Sequence, residues 1–490
     1  MSQIVKLYPY QEKGKSMTYS AFRDSIDRVL LVLAMGLGKT TLCGEIIKDG
    51  YDKDKRILIV VHRDGLVRQF SDRIKKQFGV DNGLVLGSEK KEYRKPVQVA
   101  SRQSLCRRLN DFPRDNFNLI IIDEAHYVAT NEYSKILNHF EKYKLLGITA
   151  TPFRRDGKPL KDSFDALVNP IKAKEAIQQG YLMQANYIGV GSVDFSTVKI
   201  TKGDYDEKEL YEKFKKYDIV EEVTRNMAKY PQKSMYFCIN VAHTIEVYES
   251  LKRSGRRVAY VTGETEISDR IKIYEKFNSG EINDLVNCDI LTEGADFPSA
   301  INCVLLKKTK SFARYLQMIG RVTRTCFGKT FCNVIDFCGN VEEHGFFEDY
   351  DNDLTLESGV KKKGFKKPVR CKACGQIKIT KICSCGAEIV GYQEEEEKIK
   401  INGIELKVLS ANAIRISRLI KLRWEKLKDH ELRLYAKLKG LKQHWAYHTY
   451  ADRHGIDKNM YNWQKIVFDK LKELEHKNNF TYEETKNVRS

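Results

Sequence analysis

The fold of this 490-residue chain is decided by one stretch, Val29-Leu30-Leu31-Val32-Leu33-Ala34-Met35-Gly36-Leu37-Gly38-Lys39-Thr40. Its apolar part predicts a buried parallel strand, and a helical pattern follows through Lys48. The glycines between them allow backbone N–H groups to close around a phosphate group, and a lysine and a hydroxyl come directly after. The stretch therefore predicts an α/β domain with a phosphate-binding loop after one of its strands.

A nucleoside triphosphate is the ligand that this loop predicts. Lys39 would reach the β- and γ-phosphates, and Thr40 would bind Mg²⁺ at the helix N-terminus. Leu33 stands five residues before Gly38, where the usual pattern has its first glycine, so an ordinary strand-to-helix turn is the alternative interpretation. The loop residues predicted to contact ATP are Ala34, Met35, Gly36, Leu37, Gly38, Lys39, Thr40 and Thr41.

A second apolar strand supplies the acidic groups that such a site needs. Residues 118–122 (Asn-Leu-Ile-Ile-Ile) lead directly into Asp123-Glu124-Ala125-His126. Asp123, at the carboxyl end of this strand, would bind Mg²⁺, and Glu124 would polarise the water that attacks the γ-phosphate. An Asp-Glu pair alone is common after strands, but its distance from Lys39 along the chain suits two strands of one sheet.

Length and charge indicate several domains and a polyanionic partner. At roughly 100–200 residues per domain the chain forms about three folding units. The net charge of +19 is concentrated at one end, because residues 361–490 contain 30 Lys and Arg against 16 Asp and Glu, whereas residues 1–360 contain 55 against 50. A basic tail on a nearly neutral body favours nucleic acid as the partner. A solvated, lysine-rich helical surface is the alternative.

Four of the twelve cysteines are clustered, and the other eight are scattered in mostly apolar surroundings. The cluster consists of two pairs, Cys371-Lys372-Ala373-Cys374 and Cys383-Ser384-Cys385, and a glycine follows each pair. This pattern predicts a structural zinc ribbon with four thiolate ligands. The second pair is one residue shorter than the usual spacing, and two disulfides, an iron–sulfur cluster or unligated thiols are the alternatives.

Further segments, taken in chain order, resemble a known family. Residues 123–126 and Thr149-Ala150-Thr151-Pro152 resemble motifs II and III of the superfamily 2 DEAH-type helicases and translocases. Leu7-Tyr8-Pro9-Tyr10-Gln11 looks like the Q motif, residues 290–296 (ILTEGAD) look like motif V, and residues 317–324 (QMIGRVTR) are closely similar to motif VI. The resemblance covers about residues 1–345, and the cysteine ribbon that follows resembles the bacterial RadD-like group and related phage helicases.

The resemblance implies an α/β fold with tandem RecA-like domains, in which parallel sheets are flanked by helices and ATP lies between the two halves. Phosphoryl transfer needs positive charge near the γ-phosphate, and two arginines three residues apart are predicted to lie on one face of a helix. The resemblance adds these site residues: Gln11 at the adenine, Gly294 and Asp296 at the nucleotide, His126 and Gln317 in catalysis, Arg321 and Arg324 as arginine fingers, and Thr149 and Thr151 in coupling to nucleic acid.

Polar residues at the ends of other predicted strands suit the phosphate oxygens of a nucleic acid, which carry no sequence information. An ordinary polar cap at a strand end is the alternative for each of them. Those residues are His62, Arg63, Ser101, Arg102 and Gln103 in the first half and Asn240, Thr262 and Thr292 in the second.

The resulting prediction has four domains: residues 1–165 and 166–355 as the RecA-like pair, 356–400 as a basic linker with the ribbon, and 401–490 as a basic helical module. We expect an ATP-dependent DNA helicase or translocase that uses Mg²⁺ and Zn²⁺ and acts on single-stranded, forked or branched DNA in replication, recombination or repair. A duplex translocase that does not separate strands and an RNA helicase are the alternatives.

No apolar run approaches the roughly 18 residues of a membrane span, and residues 1–10 lack a signal-peptide pattern. The expected compartment is the cytoplasm of a bacterium or of a phage-infected host.

Overall fold

A computed structural model describes residues 6–62, 64–87, 92–153, 159–190, 193–201, 203–291, 296–351, 354–357, 368–378 and 382–389, and beyond them 396–401, 404–409, 432, 443–454, 469, 471 and 483–484. The chain divides into two compact units, Met1–Ile389 and Val390–Ser490. Across these described segments, every helix is too short or too polar to cross a bilayer.

The first half of the larger unit contains a parallel seven-stranded sheet. Its strands are β1 (Arg28–Val32), β2 (Ile57–Val61), β3 (Asn82–Val85), β4 (Val97–Ser101), β5 (Leu119–Asp123), β6 (Lys144–Thr149) and β7 (Ala166–Val168). The strand order is β3-β4-β2-β5-β6-β1-β7, so the strands that lead into the glycine loop and the Asp-Glu pair are separated only by β6. The first sheet therefore extends three residues beyond the predicted boundary at residue 165.

Helices cover both faces of this sheet. They are α1 (Pro9–Arg23), α2 (Lys39–Tyr51), α3 (Asp64–Phe78), α4 (Arg102–Cys106) and α5 (Asn131–His139). Alternate residues of β1 and β2 enter two different apolar clusters: Val29, Leu31 and Ile57 belong to one, and Leu30 and Leu58 to the other. This double burial explains why these strands are continuous apolar runs in the sequence.

The second half contains a parallel six-stranded sheet. Its strands are β8 (Ala185–Gly189), β11 (Ser234–Phe237), β12 (Val258–Val261), β13 (Asp284–Asn287), β14 (Asn302–Leu305) and β15 (Cys332–Asp336), and a short hairpin of β9 (Ile200–Thr201) and β10 (Asp204–Tyr205) lies between β8 and β11 in sequence. The sheet order is β12-β13-β11-β14-β15-β8. The helices are α6 (Ala173–Gln178), α7 (Glu207–Lys216), α8 (Ile219–Met227), α9 (Val241–Arg253), α10 (Ile267–Ser279), α11 (Phe312–Ile319) and α12 (Asn340–His344). The predicted tandem RecA-like architecture is confirmed.

The ribbon belongs to the larger unit and contacts the edge of the second sheet. Its antiparallel strands are β16 (Val369–Arg370) and β17 (Ile377–Lys378). Gln376 forms an antiparallel bridge with Ile188 of β8, and the Gly189 N–H donates to the Gly375 carbonyl at 2.8 Å. The ribbon thus supplies backbone partners to an edge strand, which would otherwise have unpaired groups.

The smaller unit combines strands with a helix. It contains β18 (Glu396–Ile401), β19 (Ile404–Leu409), α13 (Gln443–Arg453) and β20 (Glu483–Glu484). Helix α13 lies within the residues predicted to form a helical module, and that prediction did not include the antiparallel pair of β18 and β19. Charged and apolar residues alternate in these strands, and Asn402-Gly403 stands between them in the sequence, which is the usual pattern of a hairpin.

Candidate active site

The glycine loop between β1 and α2 has the backbone conformation of a phosphate-binding loop. Gly36 and Gly38 have φ angles of +89° and +71°, in the left-handed region that favours glycine. A β-carbon at Gly38 would also lie 2.5 Å from Nε2 of Gln11. Helix α2 begins at Lys39, so its free N–H groups and the positive end of its dipole face the loop.

Lys39 lies among charged groups from both halves of the unit. Its Nζ is 3.5 Å from Sδ of Met35. Burial lowers the pKa of Lys39, as do the nearby cations Arg321 and Arg324, whereas the carboxylates of Glu124 and Asp123 raise it. A phosphate group would add a further anionic partner to this half-buried lysine.

The two carboxylates occupy adjacent but different environments at the end of β5. The Asp123 carboxylate accepts a hydrogen bond from the Glu124 N–H at 3.1 Å. Glu124 has a positive φ of 51° and its side chain is largely buried. Burial raises the pKa of Glu124, but His126, with its Nδ1 3.3 Å from Oε2, and the charges of Lys39 and Arg321 outweigh this effect and lower it. Glu124 is therefore ionised at neutral pH, as an acceptor for a water proton must be.

A buried polar triad connects the Asp-Glu pair to the end of β6. Nδ1 of His126 lies 3.1 Å from Oγ1 of Thr149 and 3.3 Å from Oγ1 of Thr151. The Thr149 hydroxyl oxygen also accepts from the Thr151 N–H at 3.0 Å. The same histidine nitrogen is close to Glu124, so a change at this carboxylate can reach the residues after β6. The coupling of Thr149 and Thr151 to nucleic acid stays a prediction.

The second half brings two arginines to the same place, but not on a helix. Helix α11 ends at Ile319, and Arg321 and Arg324 follow it in an irregular segment. The prediction that they share a helix face is therefore wrong. A β-carbon at Gly320 would lie 2.3 Å from Cβ of Met35, so the chain after α11 approaches the phosphate-binding loop closely. Arg324 is paired with Asp296, and Arg321 is buried.

These groups enclose a cavity of about 280 Å³ between the two halves. The predicted site residues that line it are Met35, Gly36, Gly38, Lys39, Thr40, Asp123, Glu124, Asp296, Arg321 and Arg324. Gln317 is buried on α11 and His126 lies behind Glu124, so neither lines the cavity. Gly294 and Thr292 lie outside the described residues, as does Arg63.

Gln11 contacts the phosphate-binding loop itself. Its Nε2 donates to the Leu37 carbonyl at 3.1 Å, and its Oε1 accepts from the Tyr8 N–H at 2.9 Å. The side chain is buried, and Tyr10 donates its hydroxyl to the same Leu37 carbonyl at 3.1 Å. Both polar ends of the Gln11 amide are thus engaged with backbone, and its contact with adenine remains a prediction.

Three of the predicted nucleic-acid contacts accept hydrogen bonds from main-chain N–H groups just after their own strands, two of them as helix N-caps. Ser101 Oγ accepts from the Ser104 N–H at 3.2 Å, Asn240 Oδ1 from the His243 N–H at 2.9 Å, and Thr262 Oγ1 from the Glu264 N–H at 3.3 Å. These bonds correspond to the alternative stated for each residue. Two others contact α5 or the turn before it: the His62 ring stacks on Tyr127 at 3.8 Å, and Arg102 lies 3.8 Å from the Glu132 carboxylate. Gln103 is exposed.

One helix face that sequence reasoning missed also lines the cavity. Leu66, Gln69, Phe70 and Arg73 of α3 project toward it from successive turns. Nη2 of Arg73 donates to Thr41 Oγ1 at 3.3 Å. Burial lowers the pKa of Arg73, Asp296 opposes that effect, and Arg324 adds to it. The spacing 66, 69, 70 and 73 follows one helix face, but a polar residue among apolar ones on such a face is too common to identify a site.

We expect Arg73→Met to raise the KM for ATP about fivefold with little change in kcat. A hydrogen bond from a charged donor to a bound anion is worth about 1.5 kcal/mol, and solvent exposure of the arginine reduces this value. Steady-state ATPase rates across ATP concentrations measure this effect. Lys75→Met, at an exposed position on the opposite face of the same helix and outside the cavity, is the matched control. An unchanged KM in Arg73→Met would remove Arg73 from the nucleotide site.

The four clustered cysteines have the geometry of a tetrahedral metal site. Their sulfur atoms all lie within 4.8 Å of one another, with Cys371 and Cys385 3.8 Å apart and Cys374 and Cys383 3.4 Å apart. Four thiolates around Zn²⁺ at about 2.3 Å would be about 3.8 Å apart. Gly375 and Gly386, which follow the two pairs, have φ angles of +76° and +88°. The sulfur positions therefore fit a zinc ion better than two separate disulfides.

Comparison with known proteins matches both halves. The family model of the type III restriction enzyme res subunit matches residues 4–154, and that of the helicase conserved C-terminal domain matches residues 215–326. IRC3 of Saccharomyces cerevisiae, described as an ATP-dependent helicase, is 33% identical over 358 residues, which cover 68% of this chain. The chain spans about half (51%) of that relative's length.

Two further proteins are similar over the same region. The protein of Sulfurisphaera tokodaii named DNA 3'-5' translocase XPB2 is 25% identical over 342 residues, covering 61% of this chain and 75% of that protein. A solved fragment of an HsdR subunit of a type I restriction enzyme from Vibrio vulnificus superposes with a TM-score of 0.58 at 24% identity and covers 71% of this chain and 67% of that one. The latter likeness supports the fold.

Proposed function

The chain belongs to the superfamily 2 helicases, and on that premise we propose that it is an ATP-driven motor that moves along or unwinds DNA. One observation carries this proposal: a single cavity is lined by Lys39, Asp123 and Glu124 from the first half and by Arg321 and Arg324 from the second. ATP bound there would join the two halves, and its hydrolysis would weaken the joint. A change in the contact between the halves is what a stepping motor requires.

Each residue of the cavity has a distinct task in hydrolysis. Lys39 and the N–H groups at the start of α2 would bind the phosphates, and Glu124 would orient and deprotonate the attacking water. Arg321 and Arg324 would stabilise the negative charge that develops on the γ-phosphate oxygens. Mg²⁺ would be held by the Asp123 carboxylate and the Thr40 hydroxyl, both of which line the cavity, and would supply further positive charge at the phosphates.

DNA is the proposed substrate, in single-stranded, forked or branched form, and replication, recombination or repair is the proposed process. Three observations support DNA: the basic last quarter of the chain, the matched family model of a restriction-enzyme subunit, and a relative named as a DNA translocase. Because that relative is named a translocase, the second candidate function is a translocase, for which we propose movement on duplex DNA without strand separation. The contacts to phosphates that we predict are equally compatible with RNA.

We expect single-stranded or forked DNA to stimulate the ATPase about tenfold or more, because the basic tail adds phosphate contacts that ATP turnover alone does not use. We expect RNA to stimulate it much less, in keeping with the relative named as a DNA translocase. ATPase rates with single-stranded DNA, duplex, forked DNA and RNA of equal length test this expectation. Strand-displacement and triplex-displacement assays, run side by side, separate unwinding from movement on duplex. Equal or greater stimulation by RNA would contradict the choice of DNA.

The ribbon is proposed to bind one structural zinc ion through Cys371, Cys374, Cys383 and Cys385. Their sulfur positions support four-coordinate binding, and four protein ligands leave no open position for catalysis. The expected cytoplasmic compartment remains a proposal, and reduced thiols suited to zinc are consistent with it.

A further inference from the structure

A buried lysine lies directly behind the two arginines of the active site. Lys329 follows Gly328 in the loop between α11 and β15, and only 9% of its surface is exposed. Its Nζ, with three N–H donors, lies within hydrogen-bond distance of four backbone carbonyls: Val322 at 2.6 Å, Ala300 at 2.6 Å, Pro298 at 3.0 Å and Arg324 at 3.0 Å. A buried ammonium group is costly unless its donors are used, and here every donor has an acceptor.

The four carbonyls come from two separate segments, and both carry residues of the cavity. Val322 and Arg324 belong to the irregular segment that contains Arg321. Pro298 and Ala300 follow Asp296, whose carboxylate is paired with the Arg324 guanidinium. The ammonium group thus connects the main chain of these two segments from inside, while the ion pair of Asp296 and Arg324 connects them at the cavity.

The arginine segment needs such a connection because only isolated backbone bonds hold it. Helix α11 ends at Ile319, and beyond it the Arg321 N–H donates to the Met318 carbonyl at 3.3 Å and Arg324 forms an isolated antiparallel bridge with Leu182. Main-chain bonds do reach the segment: the Val322 N–H donates to the Ile319 carbonyl at 3.0 Å, and the Met183 N–H donates to the Thr323 carbonyl at 2.7 Å. The carbonyls of Val322 and Arg324, on either side of Thr323, both point to Lys329.

We propose that Lys329 is a positioning residue for catalysis: its ammonium group fixes the main chain on either side of Thr323, so that the guanidinium groups of Arg321 and Arg324 face the cavity before ATP arrives. This inference rests on the proposed role of the two arginines in ATP hydrolysis. Guanidinium groups that already face the γ-phosphate position do not have to reorient during the reaction. Their catalytic effect arises from this preorganisation. Loosening the segment should therefore weaken stabilisation of the transition state more than binding of ATP.

Lys329→Met tests the proposal, because it keeps an unbranched side chain that ends one atom before Nζ and removes the charge and the donors. We expect the kcat of ATP hydrolysis without nucleic acid to fall about 10- to 100-fold, less than the loss of a preorganised donor itself, because both arginines are still present. The Kd for a fluorescent ATP analogue should stay within about twofold, because Lys39 and the start of α2 lie in the other half. Lys329→Arg, which retains a cation with several donors, should recover most of the kcat.

Lys233→Met is the matched control for a purely structural effect. Its Nζ donates to the carbonyls of Phe277 at 2.7 Å and Asn278 at 2.9 Å and to the Ser299 hydroxyl at 3.3 Å. Among the described contacts it reaches none of residues 320–324, so it tests loss of a half-buried lysine without direct loss of support for the arginine segment. It should lower the unfolding temperature as Lys329→Met does while leaving kcat within about twofold of the unmodified protein. All rates are measured well below the unfolding temperatures of the variants.

A double-mutant cycle with Arg321→Ala separates positioning from loss of stability. If Lys329 acts through the arginines, Lys329→Met should cost much less in the Arg321→Ala background than alone. Additive losses, or a folded Lys329→Met protein with unchanged kcat, would overturn the proposal. If Lys329→Met does not fold, Lys329→Gln takes its place in the same cycle. These assays contain no nucleic acid, so they do not depend on the proposed motor function. That function would fail in a different experiment, if DNA did not stimulate the ATPase of the unmodified protein.

Discussion

Glu124→Gln is expected to lower the kcat of ATP hydrolysis by about 10²- to 10⁴-fold, the range for loss of a general base. The amide has nearly the same shape as the carboxylate but cannot accept the proton of the attacking water. His126, Lys39 and Arg321 lower the pKa of Glu124 despite its burial, so its carboxylate is ionised at neutral pH and can accept a hydrogen bond or a proton from the water, although it is a weaker base than an ordinary glutamate. Since Lys39 and the start of α2 are unchanged, ATP should still bind.

The measurement combines steady-state ATPase rates with equilibrium binding of a fluorescent ATP analogue. Glu45→Gln is the matched control: Glu45 lies on α2, the helix that begins at Lys39, and forms an ion pair with Lys15 at 3.9 Å without lining the cavity. It should change kcat less than about twofold. Hydrolysis by Glu124→Gln at an undiminished rate would remove Glu124 as the base. Loss of ATP binding would show instead that Glu124 maintains the shape of the loop.

Most of the first half of the site could be predicted from sequence because its signals are local. A parallel strand buried on both faces is a continuous apolar run, and the glycines, Lys39 and the Asp-Glu pair come directly after such runs. Parallel strands bring their carboxyl ends to one edge of the sheet, which places Asp123 near Lys39 without further information. The strand order confirms that geometry.

The parts that were missed depend on contacts distant in sequence. The three-residue spacing of Arg321 and Arg324 suits one face of a helix, but α11 ends at Ile319. At Gly320 the chain instead passes close to Met35 of the first half. A contact between the two halves has no local signal. The residues at strand ends illustrate another limit: the oxygen of Ser101 or Asn240 can cap its own helix or bind a phosphate with the same chemistry, so the sequence cannot distinguish the two uses.

Loss of the metal from the ribbon should have the second large effect. We expect Cys371→Ser to reduce bound zinc from one ion per chain to well below one, because removing a thiolate leaves an incomplete shell. Structural zinc contributes roughly 10 kcal/mol or more to the folding of small domains, so the residues around β16 and β17 should not remain ordered without it. Metal analysis and hydrogen exchange of the purified full chain measure both consequences.

The contact of the ribbon with β8 predicts how far this effect extends. Gly189 of β8 loses its 2.8 Å bond to the Gly375 carbonyl, and Ile188 loses its bridge to Gln376, when the ribbon unfolds. β8 retains its pairing with β15 on the other side, so exchange protection should fall in β8 while β11 and β14, in the centre of the sheet, remain protected.

Cys338→Ser, at a buried thiol of the same half, is the control that should retain zinc. One zinc ion per chain in Cys371→Ser, or an iron chromophore in the unmodified protein, would contradict the assignment. If zinc is lost and β8 keeps its protection, the ribbon is an independent module, and the two backbone contacts at Ile188 and Gly189 contribute little to the second sheet.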